Sequence, residues 1–144
     1  MTTRIVLCVA LLTACSGKKS EEVKKDAPAS SAEPVSAEDR ALAGRWVALY
    51  GEYAAALEGA DCARAVTAIG EVNGKNADLI ATGKSRMRAL RSDPAKAKWY
   101  GDNIKPKLGA ALDRMAPLLD SCRGNADLSA ALADGPFSRK DQPR

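Results

Sequence analysis

Apolar side chains step through this sequence by threes and fours, and that spacing commits most of the chain to helices packed along seams. Leu42, Trp46, Leu49, Tyr50, Tyr53 and Leu57 form the first seam. Cys62, Val66, Ile69, Asn73, Asn76, Ile80, Gly83, Met87 and Leu90 form the second, with two amides as polar steps. Ala97, Tyr100, Ile104, Leu108, Ala111, Met115, Leu118 and Cys122 form the third, and Leu128, Ala131 and Leu132 fit a short fourth helix. No stretch alternates with period two, so no strand is expected. The pattern predicts an all-α fold: an antiparallel up-down-up helical bundle of three long helices plus a short fourth.

Local punctuation sets the boundaries. Ser36-Ala37-Glu38-Asp39 resembles a capping box ahead of the first helix, and Gly59 ends it. Asp61 is the expected N-cap of the second helix. Ser92-Asp93-Pro94 reads as a turn into the third, with Asp93 as N-cap and Pro94 at the first helical position, where a missing N–H costs nothing. Pro106 and Pro117 are expected to kink the third helix. Gly124 stops it, Asn125 caps the fourth, and Gly135-Pro136 closes the domain. The second helix is read as continuous, although Gly70 to Gly74 is the place where it would break. These limits put the bundle at residues 38–134 and a loose tail at 135–144.

Ahead of the bundle the composition changes. Arg4 precedes the apolar run Ile5-Val6-Leu7-Cys8-Val9-Ala10-Leu11-Leu12, which has the length of a secretory signal and is well short of the roughly 20 residues that span a bilayer. Leu12-Thr13-Ala14-Cys15 then resembles the lipobox of bacterial lipoproteins. The resemblance covers the first fifteen residues. It implies cleavage of the signal peptide 1–14 and lipidation of Cys15 with a thioether-linked diacylglycerol and an acylated amine. One acyl chain attaches only reversibly, so several chains are what make such an anchor stable. The implied location is the bacterial cell envelope, with the chain held at a membrane by lipid. Ser16 resembles the outer-membrane default of enteric bacteria, so the outer membrane is favoured over the inner. Residues 15–37 follow as a lipidated Cys and a tether. Ser16 to Ala37 is Ser, Lys, Glu, Ala and Pro with almost no large apolar side chain, which predicts disorder. Its r.m.s. reach would be roughly 25 Å and its stretched limit about 75 Å.

Cys8 leaves with the signal and Cys15 carries lipid, so Cys62 and Cys122 remain, and an even pair in an exported chain reads as a disulfide. Geometry gives the same answer. Cys62 lies 30 residues before Ser92 and Cys122 lies 29 after Asp93, so two helical arms of roughly 45 Å return both to one end of the bundle. A broken second helix is expected to spoil that match. The seams are rich in Ala and poor in aromatics, which leaves a thin core that such a bond would help substantially.

The charge is modest overall, +4 formally, but unevenly placed. Lys84, Arg86, Arg88, Arg91, Lys96, Lys98, Lys105 and Lys107 face only Asp93 and Asp102, so the tip of the second hairpin carries +6. The flanking segments Glu38 to Gly83 and Leu108 to Asp134 carry −3 and −2. Arg88 and Arg91 complement a helix C-terminus, but Lys96 and Lys98 lie at a helix N-terminus, where cations are unfavourable. Trp99 beside them is a candidate for a headgroup layer or a stacked ligand. The tip is therefore the candidate anionic-partner site, for an anionic lipid, lipopolysaccharide, a wall polymer or an acidic protein face. Nucleic acid is set aside because the compartment separates the two.

The chain has no His, which removes the usual general base, the commonest metal ligand and the usual haem ligand together. Glu52, Glu58, Asp61, Asp78, Asp113 and Asp120 are scattered and read as surface solvation rather than an acid pair. Cys-x-x-Cys-His is absent, and no cofactor or metal site is expected. Trp46, Tyr50 and Tyr53 read as core rather than as a ligand wall, and Asn73 and Asn76 as binding a polar ligand, fixing helix register or lying partly exposed near a glycine kink. The expected function is a lipid-anchored, non-enzymatic envelope protein that binds or braces an anionic envelope component through its basic tip. The alternative is a carrier of a small apolar ligand. An apolar cavity beside Trp46 and Tyr50 would support the carrier, and a dry, filled core would support the binding module.

Overall fold

The computed structural model describes residues 34–137. The signal segment, Cys15, the tether up to residue 33 and the last residues from 138 lie outside the described residues. Six helices follow in order: α1 Ala37–Leu57, α2 Cys62–Lys75, α3 Ala77–Ser92, α4 Pro94–Asn103, α5 Lys105–Ser121 and α6 Ala126–Asp134. No strand occurs among the described residues. The bundle has three rods, α1, α2–α3 and α4–α5, with α6 as the short fourth helix. The central rod is α1, which packs on α2, α3 and α5, while α3 and α4 form the hairpin and α6 lies on α2.

The starts of the helices are as the sequence predicts. The Ser36 hydroxyl accepts from the Asp39 backbone N–H at 3.1 Å, Asp61 from Arg64 at 2.8 Å, Asp93 from Ala95 at 2.9 Å and Asn125 from Leu128 at 2.8 Å. Each satisfies one of the N–H groups that a helix start leaves open. Packing begins ahead of the first cap, because Val35 is 1% exposed and joins the core.

Two rods bend where one helix each was expected. The second breaks at Asn76, just past the glycines. The Asn76 side-chain amide donates to the Val72 carbonyl that its own backbone N–H also uses, and to Glu52 across on α1. An amide that competes for the helix ladder in this way opens it locally. The third rod breaks at Ile104, two residues before Pro106, whose ring removes a ladder bond. Pro117 lies inside α5 without interrupting it. The break does not spoil the disulfide. Cys62 and Cys122 are joined, with Cα atoms 5.6 Å apart, because both arms of the hairpin bend and the match between them survives.

The C-terminal end also differs from expectation. Gly135 is buried and Phe137 packs edge-on against Tyr50 and Tyr53, at centroid distances of 5.1 and 5.0 Å. Gly135 is needed there: a Cβ would lie 2.9 Å from the Asn73 Oδ1 and 3.0 Å from the Tyr53 hydroxyl oxygen. The Tyr53 hydroxyl donates to Asn73 Oδ1, and Asn73 Nδ2 donates to the Ala131 carbonyl at 2.9 Å. Asn73 therefore ties α2, α1 and α6 together, which is the register role.

Candidate functional site

The site forms where the three rods leave space beside the aromatic side chains of α1. Trp46 and Tyr50, one helical turn apart, have ring centroids 6.3 Å apart. Trp46 reaches over α3 because residue 83 is glycine. A Cβ at Gly83 would lie 2.5 Å from Trp46 Cζ3 and 2.7 Å from Cε3. The ring thus lies directly on the α3 backbone, and Trp46 is 4% exposed. Next to this stack is a partly open cleft of about 630 Å³. Its apolar walls come from Trp46 and Tyr50 of α1, Met87 of α3, Tyr100 of α4, Leu108 and Leu112 of α5, and Phe137. Leu112 is 41% exposed, so apolar surface reaches the mouth.

The polar lining has one sign. Lys84, Arg88 and Arg91 from α3 and Lys105 from α5 line the cleft, and no acidic residue does among the described residues. The placement follows from periodicity, since 84, 88 and 91 are spaced by four and three and share one face of α3. Lys105 and Pro106, at the start of α5 just past the break, line the same cleft. Burial pushes the Tyr50 phenol up to about 12, with the Tyr100 ring adding to the rise and Arg91 opposing it. Burial raises Tyr100 too, again opposed by Arg91. Both phenols are therefore neutral donors at physiological pH, and Arg91 is close enough to act on both.

The basic residues of the hairpin tip, Lys107 apart, thus fall into two sets. Arg86 binds Glu38 at 2.9 Å and Asp39 at 2.7 Å, Lys96 lies 3.5 Å from Asp39, and Lys98 lies 2.6 Å from Asp102. These pairs are the structural cause that the sequence left unexplained for Lys96 and Lys98. The Arg86 guanidinium is the main cause that holds the Asp39 carboxyl below the usual range, against a smaller opposing effect of burial. Arg86 and Lys96 thus fasten the start of α1 to the hairpin, while the Lys98 pair lies within α4. Lys107 is exposed and does not line the cleft, and Trp99 is half-buried against the core, outside the cleft. Lys84, Arg88, Arg91 and Lys105 are the members that converge. Cys15 lies outside the described residues.

Tyr100, Leu112 and Phe137 were missed as site residues. The signal for Phe137 was present: it is the only Phe of the chain and stands directly after Gly135-Pro136, where a solvated tail has no use for it. Trp46 and Tyr50 are both core and cleft wall, while Tyr53 is core alone.

No known protein family, curated protein or solved structure matches the chain. The chemistry of the cleft is then the guide to what it binds. Among the described residues no helix is long and apolar enough to cross a membrane.

Proposed function

We propose that this chain is a lipid-anchored, non-enzymatic protein of the bacterial envelope that binds an anionic envelope component at the cationic face between α3 and α5. The observation that carries the reading is the convergence of Lys84, Arg88, Arg91 and Lys105 on one opening with no carboxylate lining it. Like charges gathered around one opening raise the local concentration of anions and repel cations. The anchor part rests on the lipobox Leu12-Thr13-Ala14-Cys15.

A vesicle experiment tests the cationic face. The full-length chain carrying Cys15→Ser, which cannot be acylated, should bind anionic vesicles better than neutral ones, and the affinity should fall as salt rises. Arg88→Glu with Arg91→Glu should weaken it further. Equal, negligible binding to both vesicle types removes the lipid version of the proposal. Cross-linking in intact cells then identifies a protein or wall-polymer partner. For the anchor, intact mass should lack Met1 to Ala14 and carry acyl groups on Cys15. A Cys15→Ala chain that still fractionates with membranes contradicts it.

The second reading, a carrier of a small apolar ligand, draws support from the apolar wall of the cleft. Its 630 Å³ lies beside Trp46 and Tyr50, where a carrier would need it, and within the usual range of small-molecule sites.

A further inference from the structure

The two readings meet in one ligand. We infer that the cleft is a binding site for one molecule of a single-chain amphiphile with a phosphate-monoester head. Its chain lies against Trp46, Met87, Leu108 and Leu112, and its head among Lys84, Arg91 and Lys105. This rests on the proposal that the cationic face takes an anionic partner, and goes further by naming the partner's chemistry.

Both halves of the cleft are needed for the argument. A wholly apolar ligand has no use for the cations, and a small hydrophilic anion has none for the aromatic wall. An amphiphile satisfies both. The apolar part reaches solvent at Leu112, which is 41% exposed, so a chain entering there covers surface that the fold leaves wet. At 630 Å³ the cleft suits one small molecule, and a two-chain phospholipid is larger than such sites enclose.

The charge selects the head. Cations from two helices, α3 and α5, line the opening without a carboxylate among them. A phosphate monoester carries about −1.5 to −2 charges near neutral pH and three acceptor oxygens, enough for several cations at once, whereas a carboxylate carries one charge. Arg91 supplies a planar fork of donors and the two lysines supply point charges. The neutral phenols of Tyr50 and Tyr100 add O–H donors that raise no opposing charge.

The test uses the full-length Cys15→Ser chain with Trp99→Phe, which leaves Trp46 as the sole tryptophan and places the fluorescence signal in the cleft wall. It is titrated with decyl and dodecyl phosphate below their micelle concentrations, and with dodecanoate and dodecanol. Each methylene buried should tighten binding about fourfold, so dodecyl phosphate should bind about fifteenfold more tightly than decyl phosphate. Dodecanol should bind at least about tenfold more weakly than dodecyl phosphate. Arg91→Glu should weaken dodecyl phosphate and leave dodecanol unchanged. Leu112→Glu, at an exposed position that does not threaten folding, should weaken both, while Lys75→Glu on α2 should change neither. Circular dichroism of each variant checks that the fold persists.

Dodecanol binding as tightly as dodecyl phosphate, or affinity independent of chain length, overturns the inference. Dodecanoate binding more tightly than dodecyl phosphate overturns the phosphate assignment. Binding to anionic vesicles with no binding of monomeric amphiphile overturns the cleft site alone and leaves the cationic face standing. Absence of both overturns the reading on which it rests.

Discussion

Replacing Gly83 by Ala sets two known effects against each other. In a helix interior, Ala is favoured over Gly by about 1 kcal/mol, because Gly loses more backbone freedom on folding. At residue 83 the new methyl would lie 2.5 and 2.7 Å from two ring carbons of Trp46, against a favourable carbon–carbon separation of about 3.5–4.0 Å. The ring must therefore move by about 1 Å. It cannot do so freely, being 4% exposed and in contact with Tyr50. Overpacking of this kind costs about 1–3 kcal/mol. The net expectation is a loss of about 0–2 kcal/mol, or up to roughly 10 °C in Tm for a domain of this size. Gly70 is the matched control. It is helical and exposed, and its Cβ would meet nothing within 4 Å, so Gly70→Ala should gain about 1 kcal/mol. Urea unfolding of the two variants followed by circular dichroism should separate them by about 1–3 kcal/mol. In a Trp46→Leu background the gap should close, because the obstructing ring is gone. Equal stabilisation by Gly70→Ala and Gly83→Ala with Trp46 present would refute the close-approach argument.

Removal of the Cys62–Cys122 bond, by Cys62→Ser with Cys122→Ser, opens a loop of sequence separation 60 and should lower stability by about 4 kcal/mol on the loop-entropy model, measured by urea unfolding. Free thiols in the exported, unreduced protein would contradict the bond. Asn73→Ala removes the donor to Ala131 and the acceptor of Tyr53, and should cost about 1–3 kcal/mol, with faster hydrogen exchange confined first to α6. Alkaline titration should show the burial of the phenols. Tyr50, Tyr53 and Tyr100 are all the tyrosines of the chain, and burial raises all three. Because their folded pKa values lie above the unfolded value of about 10, their contribution to stability is complete below pH 10 and declines as pH rises through the folded values. Tyrosinate absorbance should lag behind a model phenol until unfolding releases it, and a normal titration curve with the fold intact would count against their burial.

The helical content and the caps were legible because they depend on short-range chemistry. Ser36, Asp61, Asp93 and Asn125 all occupy the cap positions that their sequence context implies, and each makes the expected bond. The disulfide was legible from parity and from arm lengths. What the sequence obscured was long-range. The Asn76 side chain at the break also binds Glu52, 24 residues away, and no periodicity contains that contact. The charge run from Lys84 to Lys107 was visible as a run, but not its division. Whether a cation faces the cleft or Asp39 depends on how α1 lies across the hairpin. Phe137 was misread because Gly135-Pro136 is the usual sign of an ending, and here Gly135 is instead the point where the chain passes close under Asn73.

The covalent ring closed by Cys62 and Cys122 also sets how the chain yields to tension. When the two ends are pulled apart, force passes from α1 through the sulfur bridge to α6, and the chain between the cysteines, a sequence separation of 60, carries no load. About 200 Å of contour is thereby withheld from extension. The segments outside the ring are those that supply Trp46, Tyr50 and Phe137, whereas Lys84, Arg88, Arg91 and Lys105 all lie inside it. Tension on the ends therefore acts on Trp46, Tyr50 and Phe137 before it reaches the side of the cleft that carries Tyr100, Leu112 and the cations, so the position of one bond decides which wall of the cleft yields first.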